Sequence, residues 1–150
     1  MNFPPPVLPG PHLAERLADA TRELGLDTAS LTVEVTEQAV MMTSPTVTEN
    51  VNRLGDMGMR VSIDDFGTGF SSLAQLQQLR VHELKIAERF VAGVRTNPDH
   101  RTFVKTVCEL GHNLGLRVVA EGAESIDDLD DLAALGVDAA QGFGLAMPMP

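Results

Sequence analysis

The chain has 150 residues, 43% of them apolar and 21% charged, which is enough for one soluble domain with a buried core. Its formal net charge of −10 excludes electrostatic tracking along DNA or RNA duplexes or anionic membranes, and leaves an anionic small substrate open only if cations neutralise the site. No apolar run reaches the about 18 residues of a membrane span, and Met1-Asn2-Phe3-Pro4-Pro5-Pro6 lacks the basic and long apolar regions of a signal peptide, so no membrane insertion and a cytoplasmic location are expected.

After a Pro-rich, irregular start over residues 1–11, one unit repeats five times: an amphipathic helix, a short turn with glycine, then a strand rich in β-branched residues. Periodicity predicts helices over residues 12–24, 46–57, 71–79, 101–114 and 126–135, and strands over 31–36, 60–64, 83–87, 117–121 and 139–143. Four of the helices run directly into Gly25, Gly58, Gly115 and Gly136, where a left-handed terminating residue is expected. Such alternation means parallel strands with helical crossovers, an α/β class. A closed eight-stranded barrel needs about 250 residues. The expectation is therefore a single domain over 1–150 that forms an incomplete, TIM-like barrel or an open α/β sheet.

Chemistry concentrates at the ends of the strands. In Arg60-Val61-Ser62-Ile63-Asp64-Asp65-Phe66-Gly67-Thr68-Gly69, an alternating strand runs into two adjacent carboxylates and a glycine loop. Their mutual repulsion is most easily offset by a hard cation bound through oxygen, although an Asp-rich turn is the plainer reading of that motif in isolation. Glu34 stands opposite Val33 and Val35, Lys85 opposite Leu84 and Ile86, Glu121 opposite Val118 and Ala120, and Gln141 alternates with Ala140 and Gly142. Five strands thus offer Glu34, Asp64, Lys85, Glu121 and Gln141 near their C-terminal ends, where α/β barrels build active sites. Singly, Lys85 also reads as a snorkelling lysine, Glu121 as a capping carboxylate and Gln141 as a turn former; the joint pattern favours a site.

These motifs resemble the EAL-domain cyclic di-GMP phosphodiesterases, bacterial enzymes that linearise cyclic di-GMP to pGpG. The resemblance rests on Glu34-Val35-Thr36-Glu37, Asp64 to Leu73, Leu84-Lys85-Ile86, Val118 to Glu124 and Gln141-Gly142-Phe143, with Pro148 and Pro150 closing the C-terminal loop. Near the start, Asn2 fits the family's Val-Asn-x-Ser segment, with Pro4 where the serine usually stands. The resemblance implies that Asn2, Glu34, Asp64, Asp65 and Glu121 belong to a site for two Mg²⁺ or Mn²⁺ ions, with Asp64 bridging. Such ions, about 3.5–4 Å apart, activate water and stabilise an in-line displacement. It further implies that Lys85 holds the water or the developing charge, that Glu121 also accepts a proton and that Gln141 lies near a guanine or phosphate. Glu37 and Glu124, with Gly67 and Thr68, would fix the loop from Phe66 to Ser72, which couples the metal site to dimer contacts.

Two departures bear on activity. The family's Glu-Ala-Leu segment lies upstream of Asn2 and is absent, which is expected to remove one metal-binding Glu and to leave a partial TIM-like barrel lacking its first strands. The family's Lys-Ile-Asp reads Lys85-Ile86-Ala87 here, so an Asp beside the metal centre is a methyl group. The expected function is that of a phosphodiesterase-like domain with weak or lost turnover. The alternative is a catalytically silent module that binds cyclic di-GMP or a protein, either as a homodimer or with a partner that completes the barrel. Elsewhere, His12, His82, His100 and His112 lack zinc-binding spacing, Gly67-Thr68-Gly69 lacks the Lys of a phosphate loop, and Cys108 reads as a buried, inert thiol.

Overall fold

The structure, a computed structural model, describes residues 2, 3, 8, 10, 12–41, 44–69 and 72–142, with the backbone alone at residues 2 and 3. The expected roles of Phe70, Ser71, Phe143, Pro148 and Pro150 therefore lie outside the described residues. Two compact units divide the chain, Met1–His82 and Glu83–Pro150.

The first unit contains β1 (Asn2–Phe3), α1 (Leu13–Glu23), a 3₁₀ turn at Thr28–Ser30, β2 (Thr32–Thr36), α2 (Glu37–Met41), α3 (Pro45–Asp56), β3 (Arg60–Phe66) and α4 (Leu73–Leu76). Its strands are parallel, with β1 beside β2 and β2 beside β3, so that Asn2 stands opposite Glu34, Glu34 opposite Ser62, and Thr36 opposite Asp64. Val33, Val35, Val61 and Ile63 form one buried row, and Leu13, Val47, Val51 and Leu54 from α1 and α3 are buried with them. Asn50 on α3 is also buried, donating from Nδ2 to Leu8 O at 2.6 Å and Gly10 O at 3.0 Å.

The second unit contains β4 (Glu83–Ile86), α5 (Glu88–Val91), α6 (Pro98–Asn113), β5 (Arg117–Glu121), α7 (Ile126–Ala134) and β6 (Ala139–Gln141). These strands are again parallel, β4 beside β5 and β5 beside β6. Leu84, Ile86, Val118 and Ala120 are buried together with Val104, Val107 and Cys108 of α6. At Gly111 the helix comes so close to the sheet that a Cβ would stand 2.5 Å from Val118 Cγ2. Burial pushes the Cys108 thiol up to about 11, with the charges of Asp138 and Glu109 adding to the effect, so it stays protonated and unreactive at neutral pH.

The helix–strand alternation matches expectation, and Gly25, Gly58, Gly115 and Gly136 all adopt positive φ. Three differences have local causes. The opening is not irregular throughout, because Asn2 and Phe3 join the sheet as β1. The helix expected over 71–79 is the single turn α4. Beyond Leu76 the chain closes i to i+3 bonds, and Asn52 then captures it by donating to Gln78 O and accepting from Arg80 N–H. Finally, α6 starts three residues early, at Pro98, where Asn97 caps Asp99 N–H and proline occupies the first turn. Among the described residues, no helix is long and apolar enough to cross a membrane.

Candidate active site

In the second unit, β4 and β5 run side by side with Lys85 opposite Val119, and β5 and β6 with Glu121 opposite Gln141. Strand alternation turns these polar residues away from Leu84, Ile86, Val118 and Ala120. Lys85 Nζ lies 2.6 Å from Glu121 Oε1, with 5% of the lysine side chain and 19% of the glutamate side chain exposed. Gln141 Nε2 donates to the same Oε1 at 2.5 Å. Three residues singled out from the sequence therefore share one carboxylate oxygen at the C-terminal ends of three adjacent strands. Pairing with a carboxylate offsets the cost of burying a lysine this deep, and the amide donor orients the carboxylate that pairs with it. Ala87, immediately after β4, is buried and its side chain offers no polar group.

In the first unit, Glu34 and Asp64 lie on the face opposite Val33, Val35, Val61 and Ile63, on neighbouring strands. Asn2 holds the register position across from Glu34 on the other side. Asp64 Oδ1 accepts from Asp65 N–H at 3.1 Å. Asp65 is exposed and left-handed at φ 57, a conformation that aspartate tolerates better than most residues. Its carbonyl accepts from Thr68 N–H at 3.2 Å and Thr68 Oγ1 at 2.9 Å, closing the turn that follows β3.

Glu37 shapes the rest of that turn. It is 1% exposed, yet its Oε2 accepts from Gly67 N–H at 2.8 Å and Gly69 N–H at 2.9 Å. A Cβ at Gly69 would meet the Glu37 carboxylate at 3.2–3.4 Å, so the close approach favours glycine there. Gly69 was not among the residues singled out as loop anchors. Its signal was the Gly67-Thr68-Gly69 spacing, which can present two backbone N–H groups to a single anion, here a side chain of the protein itself. Glu124 is exposed, and its N–H donates to Asp128 Oδ2 at 3.2 Å beside the Ser125 cap of α7.

The donor chemistry of Glu34, Asp64 and Asp65 suits a hard divalent cation, which prefers carboxylate and amide oxygen. Among the described residues, no group of three or more His, Cys, Asp or Glu side chains is gathered closely enough to hold a metal ion.

Known proteins are similar to this chain in sequence and in fold. The family model of the EAL domain matches residues 1–148. A protein of Azorhizobium caulinodans with no assigned function is 41% identical over 140 residues, covering 92% of this chain and 19% of the relative. The cyclic di-GMP phosphodiesterase RocR of Pseudomonas aeruginosa is 34% identical over 149 residues, covering 99% of this chain and 38% of RocR. The solved structure of the PaMucR phosphodiesterase in complex with c-di-GMP superposes with a TM-score of 0.94 at 35% identity, over 99% of this chain and 60% of that one. Klebsiella pneumoniae BlrP1, solved as a manganese/cy-diGMP complex, gives a TM-score of 0.87 at 29% identity, over 95% of this chain and 37% of BlrP1. The chain thus spans well under half the length of the Azorhizobium caulinodans protein and of RocR.

Proposed function

The chain belongs to the EAL-domain family, and from that premise we propose that it contains part of a metal-dependent phosphodiesterase site that converts cyclic di-GMP to pGpG. The observation that carries the reading is the shared Glu121 Oε1, held by Lys85 and Gln141 at the ends of β4, β5 and β6. The resemblance, together with their oxygen donor chemistry, assigns Glu34, Asp64 and Asp65, with Asn2 and Glu121, as the residues that would hold Mg²⁺ or Mn²⁺. When bound, a pair of such ions supplies a nucleophile from water at neutral pH and balances phosphodiester charge. Lys85 positions the attacking water or stabilises the negative charge that develops on the phosphodiester oxygens. Glu121 takes up a proton, and Gln141 meets a guanine or phosphate group. Glu37, Gly67, Thr68 and Glu124 are assigned to anchoring the loop that presents Asp65.

Ala87 tempers the expected rate, because it places a methyl group where the resemblance implies an acid. Turnover by this chain is expected to fall well below the order of 1 s⁻¹ of working enzymes. The same residue supports a second reading, a catalytically silent module that binds cyclic di-GMP or a partner protein. Either role fits a cytoplasmic domain that works as a homodimer or beside a partner protein.

One experiment separates the readings: purified chain is titrated with cyclic di-GMP in Mn²⁺ and then in EDTA, with products followed by chromatography. Linear pGpG that vanishes in Asp64→Asn supports the phosphodiesterase. Binding that persists in EDTA without product supports the silent module, and the absence of both product and binding overturns the site.

A further inference from the structure

Two junctions in this fold close with the same pair of hydrogen bonds. His82, the residue immediately before β4, donates its N–H to Val61 O at 2.8 Å, and Val61 N–H donates back to His82 Nδ1 at 3.1 Å. Asp138, immediately before β6, donates its N–H to Val118 O at 2.9 Å, and Val118 N–H donates back to Asp138 Oδ2 at 2.7 Å. Val61 and Val118 are each the second residue of their strand, β3 and β5. In both places a side chain supplies the acceptor that satisfies a backbone N–H near the start of a sheet strand.

The two acceptors respond differently to protons. A carboxylate accepts throughout the neutral range. Burial works against the charge of Asp138, but the bond from Val118 and the neighbouring His112 and Arg117 outweigh it and hold this carboxyl below the usual range. An imidazole nitrogen accepts only while it carries no proton, so the bond from Val61 requires a neutral His82 with its hydrogen on Nε2. A proton on Nδ1 would set two N–H groups against each other and leave Val61 N–H unpaired.

We propose that His82 is an acid-sensitive latch on β3, closed while its ring is neutral and opened by protonation, one residue ahead of the strand that contains Lys85. His82 is exposed, so solvent protons reach it. The surrounding elements bring charges of both signs. Arg60 opens β3, and Asp56 on α3 pairs with Arg80 of the preceding loop. Glu83, next in sequence, pairs with Arg117 at 3.4 Å. Helix α3 itself approaches at Gly55, where a Cβ would stand 3.8 Å from His82 Cε1.

The test is amide hydrogen exchange by NMR on the full chain, expressed as protection relative to an unstructured peptide, from about pH 8 to about pH 5, the window in which histidine titrates. The ring nitrogens of His82 are followed in the same samples. The expected result is an Nε2–H tautomer at the upper end and a loss of about tenfold in Val61 protection as the ring protonates, with Val118 protection unchanged. His82→Asp should hold Val61 protection level across the range. Val61 protection that stays level in the wild type overturns the proposal, as does a loss shared equally with Val118 or with His82→Asp. Should His82→Asp not fold, the comparison of Val61 with Val118 in the wild type decides alone.

Discussion

Lys85 and Glu121 form a buried ion pair, with Nζ and Oε1 2.6 Å apart and Gln141 bonded to the same oxygen. Removing one member strands the charge of the other, which costs about 3–5 kcal/mol at well-buried sites. Lys85→Met is expected to lower the unfolding free energy by about 3 kcal/mol. Combining it with Glu121→Gln should return more than half of that loss, since the carboxylate that lost its lysine is then neutral as well. Urea melts of the two single variants and the double variant check this, and strictly additive losses would show that the pair is uncoupled.

Glu37 accepts two backbone N–H groups from the turn after β3, at Gly67 and Gly69. Bonds to a charged acceptor contribute about 1.5–3 kcal/mol each, so Glu37→Ala is expected to destabilise by at least about 2 kcal/mol. Its signature is local: the Gly67 and Gly69 amides should exchange faster than those of β2 and β3. Unchanged exchange at both glycines would remove Glu37 from the turn.

Asp138 links the start of β6 to Val118 N–H and to His112 Nε2 at 3.0 Å. Its folded-state pKa is lowered, so its stabilising contribution is complete above the unfolded value of about 3.9 and is lost as pH falls through the folded value. Its side chain is 38% exposed, and screening limits the effect to about 1 kcal/mol. Asp138→Asn should be less stable than wild type at neutral pH, with the gap closing in acid. Thermal melts at several pH values measure it, and a gap that widens in acid would reverse the assigned sign.

Asn50 ties the segment at Leu8 and Gly10 to α3 through two bonds from one buried amide. Asn50→Leu leaves those carbonyls without this donor, at about 1–3 kcal/mol for each buried group left unsatisfied. The expected outcome is a lower melting temperature together with faster proteolysis within the first twelve residues, read by mass spectrometry. Cleavage unchanged in that region would indicate that Asn50 does not hold it.

Much of this protein is determined by local rules that the sequence carries openly. Strand period two placed Glu34, Asp64, Lys85 and Glu121 opposite aliphatic neighbours, and glycine at four helix ends marked the turns, because side-chain direction and left-handed backbone are properties of single residues and their immediate neighbours. Short elements were not legible: α2 and α5 span five and four residues, too few for a 3.6-residue period to declare itself. Long-range capture was equally hidden. Asn52 cuts α4 to one turn from 26 and 28 residues away, and Glu37 reaches 30 residues along the chain to bind Gly67. That Lys85 is buried, that Gln141 shares its carboxylate and that His82 stands in for a strand acceptor depend on which backbones lie side by side, and only the folded sheet decides that.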